Sequence, residues 1–227
     1  MITRCGVMEM TFETLTTTEA AVVAGVSVDD VNRAIDRKIL PENLYWTATV
    51  RTLKRDACLW IAFWFETSEW LTPDARQRMI SEGSNRCPSW AELRTCQLQE
   101  SRTIKVGIQD IWDEVNARLK ELQNAQQMVI EDPEILSGTP VIQGTRIPVY
   151  DVASLVDEKT PMDELKELYP RLSEEQFRLA SLYAKARPLR GRPKRKALPE
   201  SSRISVSKKH LREASVGGPK RAKIAGR

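Results

Sequence analysis

The stretch DPEILSGTPVIQGTRIPVYDVASL (residues 132–155) decides how the C-terminal half of this chain folds. Residues 139–142 and 145–149 are two short β-prone runs that flank Gln143-Gly144. An X-Gly pair between two such runs is typical of a tight β-hairpin, because glycine takes the positive φ that these turns require. The proline within each run cannot donate to a strand ladder, so the hairpin is predicted to be small and to end at a sheet edge or a dimer seam.

Three short helices are predicted after this hairpin. The first carries an apolar stripe within residues 152–156. Thr160 and Pro161 supply an N-cap and a first-turn proline for the second helix. Ser173 and Gln176 have the spacing of a capping box, which begins the third helix. A hairpin followed by three helices, the last two joined by a tight turn, is a helix-turn-helix layout.

Several groups of residues in this region match a known bacterial family at the same time. The matching residues are Asp132-Pro133, 138–142, 144–149 and 169–172. They resemble the small "GTRIPV" domain of type II antitoxins, which recurs in VapB-like proteins encoded beside PIN-type ribonuclease toxins. The match covers about a quarter of the chain. Lys159 departs from the family, which usually has glycine at the end of the first helix, so we expect that turn to be drawn differently here.

Length and composition are those of an ordinary soluble protein. At 227 residues the chain can form one domain or two small ones. Its 41% hydrophobic and 29% charged residues exclude a disordered chain. No apolar run approaches the roughly 18 residues of a membrane span, and the N-terminus has no signal-peptide core. We therefore expect a cytoplasmic protein that has no membrane partner.

Charge is distributed very unevenly along the chain. Residues 185–227 contain 15 Lys and Arg against two acids, whereas residues 1–184 contain 20 Lys and Arg against 29 acids. A segment with charges of one sign repels itself and stays extended until it meets a partner of opposite charge. The pattern therefore predicts a flexible basic tail that binds an acidic partner.

A second helix-turn-helix is predicted near the N-terminus. A short helix with small residues is followed by Gly25, where a turn needs positive φ, and by Ser27 as the N-cap of another helix. This segment resembles the DNA-reading end of excisionase-like and MerR-like proteins. The matching residues are 19–21, 25–27, 34–35 and 39–41.

That resemblance implies that the outward face of the second helix meets DNA. Asn32 could contact adenine, and Arg33 or Arg37 could contact guanine or phosphate. Three aspartates on the same face oppose phosphate binding, so a purely structural module that mediates dimerisation is the alternative. The predicted DNA-binding residues are Ser27, Asn32, Arg33, Arg37 and Lys38.

Between the two modules lies the best helical pattern of the chain. Residues 108–128 contain no proline or glycine, and their apolar residues form one face. Such a helix would be a spacer or the arm along which two copies dimerise. The predicted fold is thus mainly α, with two small helix-turn-helix modules that carry hairpin or wing elements. The predicted divisions are residues 12–100, a connecting helix at 104–128, the GTRIPV domain at 129–187 and the basic tail at 188–227.

The sequence offers little chemistry. Cys5, Cys58, Cys87 and Cys96 show neither CxxC spacing nor the density of a disulfide scaffold, so reduced thiols are expected. The single histidine, His210, lies in the basic tail without metal-ligand neighbours. Phosphate-loop, dinucleotide, zinc-protease and serine-hydrolase motifs do not occur. We expect a protein that is not an enzyme, with no catalytic residue, metal ligand or cofactor.

Two functions fit these observations. In the first, the chain is a homodimeric VapB-like antitoxin that binds operator DNA and inhibits a PIN-type ribonuclease toxin. The resemblance implies a toxin with clustered metal-binding carboxylates, which an arginine-rich tail can pair with. In the second, the chain is a stand-alone transcription regulator whose tail grips DNA phosphates. The predicted toxin-binding residues are Arg187, Arg190, Arg192, Lys194 and Arg195.

Overall fold

A computed structural model of the protein describes residues 14–99 and 105–189. Over these residues the chain is mostly helical, with nine α-helices and three small antiparallel sheets. The prediction of a mainly α fold is confirmed. The described residues belong to one compact unit. The predicted basic tail falls outside the described residues from residue 190 onward.

The N-terminal elements are two short helices beside a three-stranded antiparallel sheet, in which β3 lies between β1 and β2. Helix α1 begins at a capping box formed by Thr16 and Glu19, and it ends at Gly25, whose φ of +72° is the left-handed conformation that glycine tolerates. Ser27 caps α2. The elements are β1 (Thr14–Thr16), α1 (Thr17–Ala24), α2 (Val28–Asp36), β2 (Tyr45–Thr47) and β3 (Arg51–Lys54).

The middle of the chain supplies most of the first hydrophobic core. Helix α3 buries Trp60 and Phe63, whose rings meet edge to face with centroids 6.2 Å apart. Gly83 lets α4 approach this ring, because a Cβ atom at that position would overlap Trp60. The elements are α3 (Arg55–Glu66), α4 (Pro73–Arg86), α5 (Trp90–Arg94), β4 (Gln97–Gln99), β5 (Lys105–Gly107) and α6 (Gln109–Gln127), and β4 pairs with β5.

The C-terminal elements form around a smaller second core. Helices α7 and α9 pack together, and Phe177 is fully buried between them and their neighbours. A capping box of Ser173 and Gln176 begins α9, as the sequence predicts. The elements are β6 (Val129–Ile130), β7 (Val141–Ile142), α7 (Val149–Asp157), α8 (Met162–Leu168) and α9 (Glu174–Ala186).

The predicted small hairpin forms. Its turn forms, with Gly144 at φ +75° and the Thr145 amide donating to the Ile142 carbonyl at 3.0 Å. The two runs also pair: Val141 and Pro148 form an antiparallel bridge, and amide-to-carbonyl bonds of 3.0 Å run from Ile142 to Ile147 and from Val149 to Pro140. On its other edge β7 pairs with β6, which the sequence did not predict. Pro148 has no amide to donate, and the pairing of the two runs ends at Val149, where α7 begins.

Helix α6 is packed into the body and is therefore not a bare spacer between the two modules. Val115, Leu119 and Leu122 join the first core, and Ala125 joins the second. The helix contacts α1, α3 and α9. The last residue of α9, Ala186, is fully buried in the first core. The two predicted modules thus share their hydrophobic interior.

Helix α7 ends in a Schellman motif whose left-handed residue is Lys159, at φ +61°. The Thr160 amide donates to the Leu155 carbonyl at 3.2 Å, and the Lys159 amide donates to the Val156 carbonyl at 3.0 Å. The expectation that lysine changes this turn is therefore wrong. The chain keeps the glycine-type geometry with a residue that is strained in it.

We expect Lys159→Gly to raise the free energy of unfolding by about 0.5–1 kcal/mol, because glycine removes the left-handed strain. Urea unfolding measures the change. Lys120→Gly is the matched control: it places glycine in the exposed interior of α6 and should lower stability by about 1 kcal/mol. A Lys159→Gly protein that is less stable than the parent would contradict the strain at this turn.

Candidate nucleic-acid interface

Helix α2 buries one face and exposes the other. Val31, Ala34 and Ile35 are in the first core. Among the predicted DNA-binding residues, Ser27, Arg33, Arg37 and Lys38 are exposed and Asn32 is half-buried. Arg33 and Arg37 are one turn apart and lie on the same side of the helix. The structure therefore brings the predicted residues to one outward surface.

Arg51, on strand β3, ties this surface to the sheet. Its guanidinium donates to the Asn32 side-chain oxygen at 3.0 Å and pairs with the Asp36 carboxylate at 2.8 Å. The Asn32 side-chain nitrogen donates to the Val28 carbonyl at 3.0 Å. Both ends of the Asn32 amide are therefore engaged within the protein, and a contact with adenine would require these bonds to break.

Two of the three aspartates that oppose phosphate binding are paired. Asp30 accepts from the Ser27 hydroxyl at 2.7 Å and from the Arg33 guanidinium at 2.8 Å. Asp36 is held by Arg51, which leaves Asp29 as the exposed acid without an ion pair among the described residues. The pairing reduces the repulsion that a phosphate would meet, because each carboxylate already has a cation beside it.

Arg37 is the cation on this face whose charge is uncompensated. It is exposed and has no ion pair within the part of the chain that the structure describes, whereas Lys38 lies 3.6 Å from the Glu42 carboxylate. An unpaired, solvated guanidinium can contact phosphate or guanine without first losing a protein partner. Arg37 is therefore the strongest of the predicted DNA contacts.

The β2–β3 hairpin stands beside α2 in the manner of a wing. Its connecting residues 48–50 are exposed, and Trp46 is 46% exposed. The ammonium group of Lys54 lies 5.7 Å from the centre of the Trp46 ring. An open hollow between the helix and the hairpin is lined by Ile35, Asp36, Tyr45 and Trp46 among others. The sequence predicts hairpin or wing elements in the two modules, but no spacing in it links Arg51 or Trp46 to α2.

A buried carboxylate connects this module to the C-terminal elements. Glu19 is 5% exposed and accepts from the Thr16 amide at 3.0 Å, the Gln126 side chain at 2.9 Å and the Arg187 guanidinium at 3.1 Å. Gln126 lies in α6, and Arg187 is the C-cap of α9. One side chain of α1 therefore holds the ends of two other helices.

The root of the predicted tail is anchored by further contacts. The Tyr150 hydroxyl donates to the Arg187 carbonyl at 2.7 Å, and the Tyr183 hydroxyl donates to the Glu131 carboxylate at 3.1 Å. Burial raises the pKa of Tyr183 to about 12. Arg187 is predicted to bind the toxin, but in this structure its guanidinium is paired with Glu19 within the protein. The other predicted toxin-binding residues, Arg190, Arg192, Lys194 and Arg195, lie outside the described residues.

Neither a membrane span nor a metal cluster is found among the described residues. No helix within 14–99 or 105–189 is both long and apolar enough to cross a membrane. In the same residues, no group of three or more His, Cys, Asp or Glu side chains is placed to hold a metal ion.

Comparison with known proteins identifies one family and one close relative. Residues 129–184 match the sequence model of a family described as "Protein of unknown function (DUF433)". The chain is 39% identical over 212 residues to the "Uncharacterized protein y4eO" of Sinorhizobium fredii (strain NBRC 101917 / NGR234), a match that covers 90% of this chain and 96% of the relative. No solved structure matches.

Proposed function

The chain belongs to the same protein family as y4eO of Sinorhizobium fredii, and we propose that it is a DNA-binding antitoxin of a VapBC-like toxin-antitoxin system. In this proposal, α2 and the β2–β3 wing bind operator DNA, and the basic C-terminal residues neutralise a PIN-type ribonuclease in the cytoplasm. The protein acts as a homodimer and regulates its own operon.

The observation that carries the DNA-binding part is the outward surface of α2. It combines an exposed, unpaired Arg37 with a neighbouring wing, while Arg33 and Arg51 compensate two of the acids between them. A helix that reads DNA needs exposed cations on a rigid support. Here the support is the first core, in which the opposite face of α2 is buried.

The toxin-binding part is supported by charge and by resemblance. Residues 185–227 carry 15 Lys and Arg against two acids. The GTRIPV resemblance points to toxins whose active sites hold clustered carboxylates, and arginine pairs with carboxylates through two parallel hydrogen bonds. Arg190, Arg192 and Arg195 are the proposed contacts, with Lys194 beside them. Arg187 joins them only if its bond to Glu19 opens.

The test is inhibition of the ribonuclease encoded by the adjacent gene, co-expressed with the full chain. Changing Arg190, Arg192 and Arg195 together to Ala should weaken inhibition by at least about 100-fold, because three charge-assisted hydrogen bonds are removed. RNA cleavage by the purified complex measures the effect. The matched control changes Lys208, Lys209 and Arg212 to Ala, which removes the same charge further along the tail and should have a much smaller effect.

Two results would reject this proposal. Inhibition that survives in the arginine variant would move the inhibitory contacts elsewhere. If no protein co-purifies with the chain and deletion of residues 188–227 instead abolishes DNA affinity, the chain is the stand-alone regulator, and its tail serves as a phosphate grip with steep salt dependence.

A further inference from the structure

Two cysteines that lie apart in the sequence meet in the fold. Cys87 follows the last residue of α4, and Cys96 precedes the first residue of β4. They are nine positions apart in sequence, and their sulfur atoms are 2.8 Å apart. Both are thiols in this structure, in which the Cys87 thiol donates to the Cys96 sulfur. A disulfide would require the sulfur atoms to approach by only about 0.8 Å more.

The backbone on both sides holds this pair together. The Cys87 amide donates to the Gly83 carbonyl at 3.0 Å, so the last turn of α4 fixes its position. The Arg86 guanidinium donates to the Gln97 carbonyl at 3.3 Å and also pairs with Glu82. These hydrogen bonds therefore hold the two ends of the segment that contains α5 close together before any covalent bond forms between the two sulfur atoms.

The two thiols differ in access to solvent. Cys87 is half-buried, and together with Cys96, Arg86 and Glu92 it lines an open hollow on the surface. Cys96 is 5% exposed, and burial raises its pKa to about 12. Cys87 is thus the sulfur that a small reagent reaches more readily, and the more buried Cys96 serves as the second attacking sulfur.

We propose that Cys87 and Cys96 form an oxidisable dithiol site whose substrate is a small-molecule disulfide such as glutathione disulfide. Cys87 attacks one sulfur of the reagent, which forms a mixed disulfide and releases the first small thiol. Cys96 then loses its proton and attacks the Cys87 sulfur, expelling the second small thiol. Two protein thiols are oxidised, one reagent disulfide is reduced to two thiols, and the protons of the cysteines pass to those thiols.

Proximity favours the second step. An attacking sulfur that is already held beside its target has a high effective concentration, so the mixed disulfide should not accumulate. The disulfide would close the loop that contains α5. Trp90 of this helix packs against Trp112 of α6, with ring centroids 5.2 Å apart. This inference is independent of the proposed function.

The experiment treats the native full chain, in a Cys5→Ser background, with glutathione disulfide. Mass spectrometry of the alkylated protein should show the loss of two hydrogens without added glutathione, and peptide mapping should join Cys87 to Cys96. Cys58, which is fully buried, should remain reduced. The oxidised protein should melt about 5 °C higher than the reduced protein, because a loop is closed in the unfolded state.

The matched variant is Cys96→Ser in the same background. It should stop at the mixed disulfide between Cys87 and glutathione, since the second attacking sulfur is missing. A parent protein that also stops at the mixed disulfide, or that shows no reaction at Cys87 while folded, would overturn the proposal. Joining of Cys87 to Cys58 instead would overturn it as well.

Discussion

Glu19→Ala is expected to lower the free energy of unfolding by about 3 kcal/mol. The carboxylate is buried and accepts from Thr16, Gln126 and Arg187. Its removal leaves these donors without a partner and also breaks the capping box of α1. The side chain of Arg187 is 48% exposed, so water can replace part of its bond to Glu19, and the destabilisation should stay at the lower end of the range for broken buried pairs.

Thermal unfolding measures this change, and the midpoint should fall by about 6–12 °C. Glu121→Ala is the matched control, because Glu121 pairs with Arg178 across the same two helices, α6 and α9, but on the surface. Its removal should cost less than about 1 kcal/mol. Equal effects of the two variants would show that Glu19 does not hold the helix ends together.

The second large effect concerns DNA, and it depends on the proposed function. Arg33→Ala and Arg37→Ala combined should weaken binding to the DNA upstream of the chain's own gene by about 100-fold. Arg37 alone should account for at least half of the decrease in binding free energy, because it has no ion pair among the described residues, whereas Arg33 is shared with Asp30. The slope of affinity against salt should also become shallower, because the variant neutralises fewer phosphates and releases fewer counterions.

Arg78→Ala provides the control for this experiment. Arg78 is exposed on α4 and is not among the predicted DNA-binding residues, so its replacement removes one positive charge, as Arg37→Ala does, without changing α2. Its DNA affinity should match that of the parent within about twofold, and circular dichroism should show that all variants remain folded. If Arg78→Ala weakened binding as much as the α2 variants do, general charge would explain binding and α2 would lose its assigned role.

Local signals in the sequence predicted the helices well. Ser27 and Ser173 cap the helices that follow them, as predicted, because capping depends on residues within one turn of each other. The predicted cap at Thr160 is wrong, since α8 begins at Met162 after Pro161 and has no side-chain cap. The apolar face predicted for α6 is buried, at Val115, Leu119 and Leu122. These patterns involve neighbours in the chain, so they can be read without knowledge of the tertiary structure.

Contacts between distant residues could not be predicted in this way. The bond between Arg187 and Glu19 joins positions 168 apart, and sequence alone gave Arg187 a role in the tail. Strand β7 pairs with β6 on the edge opposite its hairpin partner, and no local pattern predicted that second pairing. The outward face of α2 was predicted, but its partner Arg51 lies 15 positions from Asp36, and no pattern links the two residues.

The position of Ala186 has a consequence for how this fold can be reused. The matched family segment ends at residue 184, yet α9 continues two residues further into the core of the N-terminal half. The segment therefore does not pack independently of the rest of this chain. A protein that contains this segment must also provide a surface against which the end of the helix packs. In this chain α1 and α6 provide that surface.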